Sequence, residues 1–121
     1  MNALKALIID DEEDTCLLLG SILRQRKIDT VFAQSVAEAK TALKHDTPDV
    51  IFLDNHLKDG LGINLIPAIL FEHPDSKIIL MTAFDTFADR DAALKKGAQY
   101  FIGKPFSRRS ISDALQSVFT A

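Results

Sequence analysis

The sequence predicts an α/β fold: a doubly wound, five-stranded parallel sheet with helices on both faces. Five short, dense apolar runs recur along the chain, and longer stretches with helical apolar spacing lie between them. The two kinds alternate with about 20 to 25 residues per unit, which predicts parallel strands joined by right-handed crossovers.

Each strand is a run rich in β-branched and aromatic residues with little polar alternation. "ALII" (6–9), "TVFA" (30–33), "VIFL" (50–53), "KIILM" (77–81) and "QYFI" (99–102) therefore read as strands buried on both faces. The first helix carries the stripe Cys16, Leu19 and Leu23. Glu12, Glu13 and Asp14 fit its solvated N-terminus, where the helix dipole favours anions, with Asp14 a candidate cap; "RQRK" (24–27) places cations at its other end. The second helix carries Val36, Ala39 and Leu43 behind a capping box, Ser35 with Glu38. Turn chemistry at "DTPD" (46–49) follows it. The third helix shows Leu65, Ile66, Ile69 and Leu70, with a second turn at "HPDS" (73–76). The fourth, "DTFADRDAALKK" (85–96), has a weak stripe and is marked by Lys95 and Lys96 ahead of Gly97, cations followed by a C-terminal stop. The last carries Ile111, Ala114, Leu115 and Val118 and is expected to run to the end of the chain.

The bulk numbers bound the function. With 121 residues and 47% hydrophobic content, the chain is expected to fold as one domain over 1–121. A net charge of -3 leaves no basic excess to hold a phosphate backbone, so direct nucleic-acid contact is not expected. Cys16 is the lone cysteine, which excludes an internal disulfide and a thiolate zinc cluster; its place on an apolar stripe assigns it to packing. The absence of a signal peptide fits a cytoplasmic protein. No apolar run approaches the ~20 residues of a membrane span. His45 and His73 sit beside turns and are expected to face solvent.

In a doubly wound sheet, ligands sit outside the carboxyl ends of the strands. Strand one ends in Asp10 and Asp11, strand three in Asp54, strand four in Thr82 and Ala83, and strand five two residues before Lys104 and Pro105. Three carboxylates, a hydroxyl and an amine thus converge on one rim. Carboxylates this close repel unless a cation lies among them. Mg²⁺ prefers hard oxygen ligands and is commonly held by one or two carboxylates plus phosphate oxygens. A further carboxylate free to attack phosphorus would form an aspartyl phosphate, with Lys104 and Thr82 placed to contact the phosphoryl oxygens.

Taken together, "IIDDEED" (8–14), "VIFLDNHLKDGLG" (50–62), "IILMTA" (78–83) and "GAQYFIGKPF" (97–106) resemble the two-component response regulator receiver domain, of the CheY-like superfamily, over essentially the whole chain. The resemblance implies a flavodoxin-like (βα)5 fold with strand order 2-1-3-4-5. It implies that Asp54 is the phosphoacceptor. Mg²⁺ would be held by Asp11, Asp54 and the backbone carbonyl of His56, with Asp10 acting through water. Thr82 is similar to the switch hydroxyl, small Ala83 leaves room for the phosphoryl group, and Lys104 pairs with the acceptor, aimed by a cis peptide to Pro105. Phe101 falls at the aromatic switch position; without a hydroxyl its movement would rest on packing. His56 and Phe84 match the two variable positions flanking the site, where bulky side chains are expected to slow hydrolysis. Asn55 and Lys58 depart from the family's apolar residue and proline, while Gly62 keeps its turn position.

The function so implied is acceptance of a phosphoryl group from a sensor histidine kinase or phosphotransfer protein. Signalling to a downstream effector would pass through the surface of the fourth helix, fifth strand and fifth helix, which could also form a homodimer. The chain would be no enzyme on a separate substrate, only a catalyst of its own phosphorylation and slow dephosphorylation. Three alternatives compete. A Mg²⁺-dependent phosphohydrolase of the haloacid-dehalogenase kind needs Asp-x-Asp after the first strand, whereas here the nucleophile follows strand three and position 56 is His. A flavodoxin-like cofactor binder needs a phosphate loop after strand one, which is missing. A phosphate-independent receiver would not need the complete acidic, hydroxyl and lysine set.

Overall fold

The computed structural model describes residues 4–84 and 86–119. Asp85, at the start of the stretch read as the fourth helix, and Thr120 and Ala121, at the expected end of the last, lie outside them. The strands β1 (Lys5–Ile9), β2 (Asp29–Ala33), β3 (Val50–Asp54), β4 (Lys77–Thr82) and β5 (Tyr100–Gly103) form one parallel sheet in the order β2-β1-β3-β4-β5. The helices are α1 (Glu13–Gln25), α2 (Val36–His45), α3 (Ile66–Glu72), α4 (Phe87–Lys96) and α5 (Arg108–Phe119).

Strand alternation divides the core into two layers. Ile8, Phe52, Ile79 and Met81 pack with Cys16, Leu19 and Leu23 of α1 and Ile111, Ala114 and Leu115 of α5. Leu7, Ile9, Ile51, Leu53 and Leu80 pack with Ala39 and Leu43 of α2, Ile66 and Ile69 of α3, and Ala93 of α4. Burying each Leu, Ile or Phe contributes about 1.5–3 kcal/mol, and a one-residue register slip would swap both layers at once. That cost fixes which strand ends lie level at the rim.

Four local expectations change. β2 is not buried on both faces: Val31 and Phe32 are exposed, because β2 is the sheet edge and pairs with β1 alone. Asp14 is no cap: α1 starts at Glu13 after Glu12, which makes no side-chain cap bond. His73 is half-buried, its Nε2 2.9 Å from the carbonyl oxygen of Leu43, since the turn after α3 folds back on α2. Leu65 precedes the third helix, in a 3₁₀ turn over Gly62–Leu65 that leads into α3, where Pro67 stands in the first turn.

Other signals are met. The Ser35 hydroxyl accepts from the Glu38 backbone N–H at 3.0 Å, and Glu38 accepts from that of Gln34 at 3.1 Å. α4 ends at Gly97, whose φ of 116° suits glycine. Its weak stripe has a structural counterpart: Ala93 is its one buried residue. No described helix is long and apolar enough to cross a membrane.

Candidate functional site

The carboxyl ends of β1, β3, β4 and β5 meet at one rim. Asp10 is 0% exposed, Asp54 4% and Thr82 1%. Register delivers them: Asp54 pairs with Met81 and Thr82 with Gly103. The ladder continues one step further, since Asn55 N–H donates to Met81 O at 2.9 Å and Lys104 N–H to Thr82 O at 2.8 Å. The Lys104–Pro105 peptide is cis.

Lys104 crosses the rim. Its ammonium lies 2.8 Å from Asp10 Oδ2, 3.2 Å from Asp54 Oδ1 and 4.0 Å from Glu12 Oε1. Asp10 is held a second time, its Oδ1 accepting from the Glu12 N–H at 2.9 Å. Burial, then the charge of Asp10, pushes the Asp54 carboxyl up to about 6 against the pull of Lys104. For Lys104, burial works to lower the pKa, but the hydrogen bond to Asp10 and the charges of Asp54 and Asp10 together hold it above its ordinary value.

The Thr82 hydroxyl accepts from the Phe84 N–H at 3.1 Å and lies 3.4 Å from His56 Nδ1. The His56 and Phe84 rings lean together, centroids 4.8 Å apart at 57°. Ala83 is exposed and lines a cavity together with Lys104. Phe101 is buried among residues of the α2–α4 layer, and the Arg90 guanidinium carbon stands 5.0 Å above its ring, a cation–π contact beyond packing alone.

Of the departures after Asp54, the one at Asn55 has a structural role. Asn55 is half-buried and its Oδ1 accepts from the Ile63 N–H at 2.9 Å, fastening the start of the 3₁₀ turn. Lys58 is exposed. A short hairpin, His56–Leu57 against Gly60–Leu61, lies between. Gly62 is required by close approach: a Cβ there would sit 2.3 Å from the Asp54 carbonyl oxygen.

A divalent cation fits the donor chemistry. Asp10, Asp11 and Glu12 offer carboxylate oxygens within 4.8 Å of one another, hard ligands of the kind Mg²⁺ takes. Glu12 belongs to this cluster although sequence reasoning assigned it to a solvated helix end; its place directly after Asp10 and Asp11 was the available signal.

The fold and rim define an α/β signalling module with a buried acidic site crossed by one lysine. The family model described as the response regulator receiver domain matches residues 6–116, and the chain belongs to that family. Response regulator protein PilR of Pseudomonas aeruginosa is 38% identical over 105 residues, covering 87% of this chain and 24% of PilR. A solved response regulator from Burkholderia pseudomallei, with a phosphorylated aspartic acid and a calcium ion, superposes with a TM-score of 0.88 at 28% identity over 97% of this chain and 67% of that one. The beryllofluoride-activated NtrC4 receiver domain dimer gives 0.89 at 33% identity over 95% of each chain. The chain spans about a quarter to three fifths of the length of curated relatives such as PilR and the photosynthetic regulator RegA of Rhodovulum sulfidophilum.

Proposed function

We propose that residues 1–121 form one receiver domain that takes a phosphoryl group from a phosphohistidine onto Asp54 and relays the change to an effector. The observation that carries this reading is the single ammonium of Lys104 shared by two buried carboxylates, Asp10 at 2.8 Å and Asp54 at 3.2 Å. An Asp54 oxygen attacks phosphorus in line; the P–N bond of the donor breaks and the imidazole leaves with the bonding pair. Asp11, Asp54 and the His56 carbonyl, with Asp10 acting through water, would hold Mg²⁺, which would supply charge neutralisation at the phosphoryl oxygens.

The chain's own groups do the rest. Lys104 shifts from the Asp54 carboxylate to a phosphoryl oxygen, and the Thr82 hydroxyl leaves the Phe84 N–H to donate to another. Ala83 leaves space for the group. The His56–Phe84 ring pair restricts the approach of water and so lengthens the phosphoryl lifetime. Repacking of Phe101 with its Arg90 contact carries the change to the surface of α4, β5 and α5. The chain acts catalytically on itself alone, in phosphorylation and slow dephosphorylation.

The donor is a sensor histidine kinase or histidine phosphotransfer protein. An open cavity of about 420 Å³ beside Lys104, lined by Thr15, Leu18, Ala83, Pro105 and Phe106, supports docking of such a donor over the rim. Phe87 and Leu94, exposed on α4, support a homodimer through α4, β5 and α5. With no basic excess, nucleic-acid contact falls to a separate effector, and the reading places the domain in the cytoplasm. Beryllofluoride with Mg²⁺, or acetyl phosphate, tests it: the wild-type chain should form an adduct and Asp54→Asn none. An absent adduct, or an equal one on the variant, would refute the assignment.

A further inference from the structure

The loop that carries His56 is fastened at its stems and at its tip. The stems close on themselves, Asn55 taking the N–H groups of Gly62 on its carbonyl at 2.8 Å and of Ile63 on its side chain at 2.9 Å. The tip reaches sideways to α2. There the Asp59 carboxylate accepts from the backbone N–H of Val36 at 2.7 Å and of Ala37 at 3.2 Å, the first two residues of the helix. These donors have no partner within a helix, and an anion at this end also meets the positive pole of the dipole. Hydrogen bonding, that of Val36 first, holds the Asp59 carboxyl below its ordinary range.

Between the fastened points lies the hairpin of two-residue arms, His56–Leu57 and Gly60–Leu61. A two-stranded hairpin is marginal at best in water, and arms this short add little. Lys58 in the turn does not restrict the backbone as proline would. Leu57 is buried in the α2–α4 layer, whereas residues 58–61 are exposed, so the tip beyond Leu57 takes its order from docking at α2.

We propose that Asp59 is a positioning residue: by clasping the N-terminus of α2 it sets the backbone at His56, and with it the carbonyl offered to a cation beside Asp54. The inference rests on the reading of the site given above. It also separates two roles at the start of α2. Ser35 caps Glu38 within the helix, whereas Asp59 ties the helix to a loop from a segment 23 residues away.

The test compares Asp59→Ala, Asp59→Asn and Ser35→Ala with the wild-type chain. Mg²⁺ alone is titrated while the amide shifts of 54–57 are followed, and ¹⁵N relaxation of 56–61 is measured without metal. Asp59→Ala should weaken Mg²⁺ binding about tenfold, the low end for losing an outer partner of a metal ligand, and raise loop mobility in metal-free protein. Asp59→Asn, which keeps one acceptor, should fall between. Ser35→Ala should lower Tm yet bind Mg²⁺ as wild type does. Wild-type affinity in Asp59→Ala, or equal weakening by Ser35→Ala, would overturn the clasp and leave the site reading standing. A wild-type chain with no saturable shift would overturn the site reading, and the clasp with it.

Discussion

The ends of β1 and β3 each present a buried carboxylate to the same lysine, yet the two are held differently. Asp10 is fixed on both oxygens, by the Glu12 N–H at 2.9 Å and by Lys104 at 2.8 Å. Among the described residues Asp54 has one ion pair, longer at 3.2 Å, and its carboxyl is pushed up to about 6 by burial and by Asp10. The β1 end holds its carboxylate through both oxygens; the β3 end holds its carboxylate by a longer contact to the same ammonium. A nucleophile needs the second environment and a ligand platform the first.

Removing the shared cation should strain the pair most. Lys104→Met leaves Asp10 and Asp54 side by side, so at pH 7.5 the chain should lose about 3 kcal/mol of stability, the low end for a broken buried pair. The loss should shrink as pH falls toward 6, because Asp54 without the pull of Lys104 takes up its proton above that value. Urea melts at pH 7.5 and 5 measure it; an equal loss at both would remove the electrostatic explanation.

The same substitution at the two carboxylates should give opposite signs. The folded-state pKa of Asp54 lies above the 3.8 of a free carboxylate, so the folded chain binds the extra proton. The resulting stability is full below about pH 4 and is lost as pH rises through 6. Asp54→Asn should then stabilise the neutral-pH protein by about 1–2 kcal/mol, or several degrees in Tm, after allowance for water at the open rim and for the weakened Lys104 pair. The gain should vanish near pH 4. Asp10→Asn should instead cost about 1–2 kcal/mol, since it weakens two bonds to a charged acceptor. If both variants shift Tm in the same direction, the contrast between the two strand ends fails.

The smallest effect concerns the thiol behind Asp10. Cys16 donates to the Asp10 carbonyl at 3.4 Å, and burial, then the Asp10 charge, pushes its pKa up to about 11. At pH 8 iodoacetamide should label it only as fast as the chain unfolds. Cys16→Ala should cost about 1 kcal/mol. Rapid labelling of the folded chain would show the β1 end to be looser than its two fixed oxygens imply.

Much of the site was legible because it sits at strand ends. Asp10, Asp54, Thr82 and Lys104 each follow a dense apolar run, and parallel strands in register bring such positions level. Glu12 was read as a helix-end anion although it directly follows Asp10 and Asp11, since its approach to them depends on how the chain turns into α1. Arg90 over Phe101 and His73 on Leu43 were not legible at all, because each joins segments whose spacing carries no periodic signal. The exposure of Val31 and Phe32 was misread for a related reason. An apolar run announces a strand, but whether that strand stands inside the sheet or at its edge depends on its neighbours.

The amino-acid sequence by itself determined the alternation of strand and helix, the two apolar layers and the residues presented at the rim. These follow from local periodicity and from the free energy of burying apolar side chains. Tertiary structure alone decided which carboxylate is held through both oxygens and which by the longer contact, and which helix the Asp59 loop grips. Those outcomes depend on distances between chain segments far apart in sequence, and both hydrogen bonds and desolvation change steeply over a few tenths of an ångström.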